Sequence, residues 1–172
     1  MKCIWADIKT YFGDGIQFYP NDILQLVDII VKHSWVPDVL IFQYVFSDMY
    51  KHSNEEEIIQ FINKLAGFLN LYDEKPIYIL CNDINLSKSM GGGREFFDIL
   101  ESKVENPKIV RKMHFDNINR DRHYEYGDQY NSNALVFNNI TDDIRNAYNP
   151  FESCASAQIL IKLSLIHISE PT

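Results

Sequence analysis

Three short apolar runs constrain this chain more than any other feature: KCIWADI (2–8), DVLIFQYVF (38–46) and IYILC (77–81). Each leads into polar residues, and each is followed by a segment long enough for a helix. Runs rich in β-branched and aromatic residues, without polar alternation, are how strands covered on both faces look. Strand and helix alternating at short spacing predict right-handed βαβ units and a parallel sheet.

The helical segments carry their own signals. Asn21 or Asp22 can cap a first helix with Ile23, Val27, Ile30 and Val31 at helical spacing. Ser53 and Glu56 have the spacing of a capping box ahead of a second helix, whose inward stripe is Ile58, Ile62, Leu65 and Leu69. After Gly91, Gly92 and Gly93, Arg94 opens a third, with Phe96, Phe97, Leu100 and Val104 inward. Beyond it, 109–115, 134–140 and 157–163 read as strands, with no strong helix between the last two. The expected fold is α/β: a partial Rossmann-like sheet, mostly parallel, with a C-terminal antiparallel hairpin closing one edge and helices on both faces.

A chain of 172 residues suits one domain with a real core. The last ten residues, LSLIHISEPT (163–172), resemble a translated sequencing-adapter read-through. The expected domain is therefore 1–162, with a chain start that falls inside a longer reading frame. Net charge is -8, which argues against strong binding to duplex DNA, because that needs cations to replace counterions. Residues 108–123 are the local exception, with five Lys or Arg against two Asp. They read either as a solvated edge or as an RNA-facing strip. Cys3, Cys81 and Cys154 form neither a disulfide framework nor a metal knuckle. No apolar segment reaches the roughly 20 residues that span a bilayer, and no signal peptide is visible, so a cytoplasmic location without membrane association is expected.

Ligands of open α/β sheets bind beyond the carboxyl ends of the strands. That rule selects Asp7, the stretch from Gln43-Tyr44 to Asp48, and Asn82-Asp83. Each has a plain structural reading as well: a capped strand end for Asp7, a paired core amide and a core ring for Gln43 and Tyr44, an Asx turn for Asn82-Asp83. Asp48 and His52 could face each other if a helical turn follows Ser47. Gly91-Gly92-Gly93 could bring amides to an anion, or be a flexible loop. No zinc spacing, Walker turn, G-x-S-x-G or HExxH motif is present, and no metal site is expected.

DVLIFQYVFSDMYKH, the capped helix after it and PIYILCNDIN resemble the fourth strand, following helix and fifth strand of class I S-adenosylmethionine-dependent methyltransferases. Tyr44 and Ser47 match a Tyr-x-x-Ser pattern frequent at that strand end, and AQILIKL resembles the last strand of the family's terminal antiparallel hairpin. The resemblance covers about residues 2–162. It implies S-adenosylmethionine as cofactor, bound by Asp7 on the adenine side and by Gln43 and Tyr44 beneath the methyl group. It also implies Asn82 and Asp83 as the catalytic pair, acting on RNA or protein. The family's glycine-rich cofactor turn is missing, since Gly13-Asp14-Gly15 is only a G-x-G, and so is the acidic ribose-binding strand end. The expectation is thus the C-terminal part of a methyltransferase-like protein, inactive as it stands. Two other classes remain open: an α/β binding module without chemistry, and a metal-dependent phosphoesterase or nuclease using Asp7, Asp48 and Asp83.

Overall fold

The structure is a computed structural model that describes residues 22–72, 75–116, 124–130, 135–136, 141–148 and 153–163. The run 2–8, with Cys3 and Asp7, and the turn at Gly13-Asp14-Gly15 lie outside these residues, as do 164–172. The chain divides into two compact units, Met1–Ser34 and Trp35–Thr172.

In the first unit, Asp22 accepts the N–H of Leu24 at 2.9 Å and caps a single 3-10 turn, Ile23–Gln25. Helix α1 follows at Leu26–Lys32, with Val27 and Ile30 buried. Val31, expected in the apolar stripe, is 57% exposed. The helix begins only at Leu26, and Val31 lies one residue's rotation past the buried pair.

The second unit is built on a five-stranded sheet. Its elements are β1 (Val39–Gln43), α2 (Val45–His52), α3 (Glu55–Leu69), β2 (Ile77–Ile84), α4 (Glu95–Lys103), β3 (Pro107–Phe115), β4 (Asp128–Gln129), β5 (Leu135–Val136), α5 (Asp142–Tyr148), β6 (Ser153–Cys154) and β7 (Ser156–Leu163). The strand order is β1-β2-β7-β3-β4. β1 and β2 are parallel, as expected, with Leu40 beside Ile79 and Phe42 beside Cys81. β7 runs antiparallel to both β2 and β3 and lies between them, so the other four strands share one direction.

Among the described residues the expected edge hairpin of 134–140 with 157–163 does not form; an antiparallel pair takes its place inside the sheet. That pair is β3 and β7, and the chain's last strand enters the sheet rather than closing its edge. Leu135–Val136, from the expected 134–140 strand, pairs with Ser153–Cys154 in a separate two-stranded ribbon. A helix, α5, stands where none was foreseen.

One sheet face is closed. Phe42 meets Phe61 of α3 edge-on and Phe46 of α2, while Phe46 stacks on Phe96 of α4. Ile58, Ile62, Leu65 and Leu69 of α3 are all buried, as their spacing predicts, each stabilising the fold by roughly 1.5–3 kcal/mol. Phe96, Phe97, Leu100 and Val104 are buried likewise. Both crossovers, β1 to β2 and β2 to β3, step the same way across the sheet. Right-handed connections then put their helices on the same face. Among the described residues of this unit α2, α3 and α4 cover one face, where helices on both faces were expected. The other face carries Val39 and Ile41, 52% and 63% exposed, so β1 alternates where a doubly covered strand was expected.

The capping box of α3 sits one residue later than expected. Asn54 accepts from the N–H of Glu57 at 2.9 Å, and Glu57 Oε2 accepts from the N–H of Asn54 at 3.2 Å. Ser53 is not free for that work, because its N–H closes α2 on the carbonyl of Met49.

Candidate functional site

β1 ends abruptly. Gln43 is its last residue, and Tyr44 adopts a left-handed conformation, φ 56°, before α2 begins at Val45. Val45 and Phe46, expected in the strand, are thus the first helical residues. A non-glycine residue with positive φ is uncommon and costs free energy, so surrounding contacts must hold it. Here the N–H of Tyr44 donates to the carbonyl of Asn82 at 2.7 Å, and the Ser47 hydroxyl donates to the carbonyl of Tyr44 at 3.4 Å. The Tyr-x-x-Ser pattern is a local brace for this turn.

β2 runs through to Ile84, so Asn82 and Asp83 are strand residues and not an Asx turn. Consecutive strand residues point to opposite faces. The expected catalytic pair is accordingly split, although both residues lie at the carboxyl edge.

Asp83 faces the helices and is fully buried. Its Oδ2 accepts from the N–H of Ser47 at 3.0 Å and its Oδ1 from the N–H of Ile84 at 2.7 Å. The carboxylate thereby closes the amino end of α2, where free N–H groups and the helix dipole favour negative charge. Burial holds its pKa above the usual carboxylate range, against the opposing pull of the Ser47 hydroxyl and the N–H groups of Ser47, Ile84 and Phe46. Gly93 packs on the same carboxylate. A Cβ there would meet Asp83 Oδ2 and stand 2.7 Å from the Ser47 nitrogen. One member of the glycine run thus serves close approach to an internal anion.

Asn82 faces the other way, into a group that the structure does bring together. In register across three strands stand Gln43 of β1, Asn82 of β2 and Gln158 of β7. Asn82 Oδ1 accepts from Ser156 Oγ at 2.6 Å and Gln158 Nε2 at 3.2 Å. The Tyr44 hydroxyl lies 3.6 Å from Cys154 Sγ. Burial chiefly, and then Cys154, raise the Tyr44 pKa, while hydrogen bonding by Asn82 and Ser156 lowers it. This arrangement of amides, a phenol and a hydroxyl suits hydrogen bonding and orientation of a polar ligand on that side of the sheet.

Ser156 and Gln158 escaped the sequence reading. Only the alternation Ser156-Ala157-Gln158 marked a polar face, and it was hidden inside an apolar strand.

The remaining candidates divide. Asp48 and His52 do face each other, at 3.8 Å, on the exposed side of α2. In the basic segment, Lys108 and Arg111 are exposed, whereas Lys112 turns to the closed face and pairs with Glu101 at 2.6 Å and Asp98 at 3.5 Å. Asp7 is outside the described residues. Among those residues no three His, Cys, Asp or Glu side chains are grouped to hold a metal ion, and no helix is long and apolar enough to cross a membrane. Compared with protein-family models, curated proteins and solved structures, the chain matches none.

Proposed function

We propose that this chain is the C-terminal part of an S-adenosylmethionine-dependent methyltransferase-like protein, and that as given it has no turnover of its own. The observation that carries the reading is β7. A parallel pair, β1–β2, continues into an antiparallel pair made of the last two long strands, β7 and β3. That is the pattern the resembling family ends on. The abrupt strand-to-helix turn at Tyr44 supports it further, since it sets Gln43, Tyr44 and Asn82 at the carboxyl edge, where ligands of such sheets bind.

In this reading, Gln43 and Tyr44 line the methyl-bearing end of S-adenosylmethionine and Asn82 orients the acceptor, an RNA or protein group. The cofactor supplies an electrophilic methyl group, and the protein's contribution is alignment. Asp83 acts one step back: it fixes the start of α2 and with it the Tyr44 turn. A binding module without chemistry is the second reading, favoured by the engagement of both Asp83 oxygens in bonds to backbone N–H groups.

Calorimetry with S-adenosylmethionine separates them. The chain lacks a glycine-rich turn and a ribose-binding acid, and each lost hydrogen bond removes about 1 kcal/mol, so a Kd on the order of 1 mM is expected. Gln43→Ala should abolish that residual binding. Binding unchanged by Gln43→Ala would overturn the assignment. Micromolar affinity would overturn the view that half the cofactor's grip is missing.

A further inference from the structure

Two buried side chains at the carboxyl ends of β2 and β3 each keep an oxygen that nothing in the protein hydrogen-bonds. Asn85 is fully buried; its Nδ2 donates to the carbonyl of Tyr124 at 2.6 Å, while its Oδ1 has no partner. Asp116 is 4% exposed; its Oδ2 accepts from Gln129 Nε2 at 2.7 Å, while its Oδ1 has no partner. Buried acceptors are nearly always satisfied, so two orphans at one sheet edge call for a physical reason.

The register makes them neighbours. Ile84 of β2 and Phe115 of β3 both stand opposite Ser156 of β7. The N–H of Asn85 donates to the carbonyl of Ala155 at 3.0 Å, which carries the β2–β7 ladder one step further. The same step on β3 sets Asp116 beside Ala155. Strands lie about 4.8 Å apart, so the α-carbons of Asn85 and Asp116 are roughly 10 Å apart, a separation that one small group between the two side chains can bridge. By alternation both residues project to the closed face, as Asp83 and His114 do in the preceding row. The residue between them is Ala155, and in the preceding row Ala157, so no large side chain occupies the floor.

Segment 124–130 bonds to both residues. Besides Tyr124 and Gln129, it contributes Tyr126, whose N–H donates to His114 Nδ1 at 3.3 Å. Two buried donors of this region also lack partners, Arg94 Nε and the Tyr126 hydroxyl, and neither reaches the orphan oxygens. The Arg94 guanidinium is engaged elsewhere, 4.9 Å from the Tyr124 ring and donating to the carbonyl of Glu125 at 3.3 Å.

An amide oxygen and a carboxylate oxygen can only accept. One nitrogen bearing at least two hydrogens satisfies both at once. We infer that Asn85 Oδ1 and Asp116 Oδ1 are the two acceptors of a binding site for a primary amino group, carried either by an alkylammonium ion or by an aminated heteroaromatic base. The inference does not rest on the methyltransferase reading, whose Gln43 and Asn82 lie on the opposite face of the sheet.

The test is a titration of the full, nitrogen-15-labelled chain with methylammonium chloride, with adenine and with tetramethylammonium chloride. The Asn85 side-chain amide and the Ala155 backbone amide should shift saturably with methylammonium, with adenine or with both. Response to methylammonium alone identifies the alkylammonium class, and response to adenine alone the base. Tetramethylammonium, which has no N–H, should leave both signals in place. Ala155→Val, which fills the gap without removing a polar group, should weaken binding at least tenfold, and Asp116→Asn should do the same. No saturable shift with either amine, an equal response to tetramethylammonium, or full binding by both variants would overturn the site.

Discussion

The carboxylate of Asp83 accepts the backbone N–H of Ser47 at 3.0 Å across 36 residues of chain, and so ties the end of β2 to the first turn of α2. Replacing it tests whether it is a brace. In Asp83→Asn only one amide oxygen remains for two N–H groups, and an amide NH2 is forced against a backbone donor. The expected loss is about 1–3 kcal/mol at pH 7, read by urea denaturation. The pH dependence has a definite sign. A carboxyl group whose folded pKa is raised binds its proton more tightly in the folded state. Its contribution is therefore complete below the unfolded value of about 3.9 and declines as pH rises through the raised folded value. Asp83→Asn should remove that decline. Unchanged stability with an unchanged pH slope would contradict the role.

Two glycines should respond in opposite directions to the same substitution. Gly93→Ala drives a methyl group into the Asp83 carboxylate and the Ser47 nitrogen, and should cost about 1–3 kcal/mol. Gly67, within α3, has nothing within 4 Å of a built Cβ, so Gly67→Ala should stabilise by about 0.5–1 kcal/mol through helix propensity. Thermal melts of the two variants check the pair. A neutral Gly93→Ala would mean that the close approach to Asp83 is not maintained in solution.

The two described cysteines should differ sharply towards an alkylating reagent. Cys81 is fully buried, and burial, with the Asp83 carboxylate nearby, pushes its thiol well above the ordinary range. The thiolate is the reactive form, so Cys81 should be inert. Cys154 is half-buried beside the Tyr44 hydroxyl. In a Cys3→Ser background, iodoacetamide at pH 8 should label Cys154 and spare Cys81 until denaturant is added, as read by peptide mass spectrometry. Equal labelling of both in the native protein would argue against the closed face as described.

What could be read in the sequence followed from strong local signals. The runs 38–46 and 77–81 announced two parallel strands, and the repeats Ile58-Ile62-Leu65-Leu69 and Phe96-Phe97-Leu100 announced the helices that cover them. The capping residues were misplaced by one because Ser53-Asn54-Glu55-Glu56-Glu57 offers two pairs at equal spacing. Only tertiary structure assigns Ser53 to the end of α2. The Tyr44 turn left no glycine or proline to mark it. The insertion of β7 between β2 and β3 is a long-range pairing that periodicity does not encode. Residues Asn85, His114 and Asp116 escaped for a similar reason: His114 and Asp116 alternate with Met113 and Phe115, and their closeness to Asn85 arises only when β7 lies between the two strands.

The central proposal is that Gln43 and Tyr44 line the methyl-bearing end of S-adenosylmethionine, with Asn82 next to them on the acceptor side. Amide shift mapping with S-adenosylmethionine at millimolar concentration tests it most directly. The account predicts saturable shifts concentrated at Gln43, Tyr44, Asn82 and Gln158, with weak affinity and no effect on the exposed Asp48–His52 side of α2. Saturating S-adenosylmethionine that leaves Gln43, Tyr44 and Asn82 unmoved would contradict it.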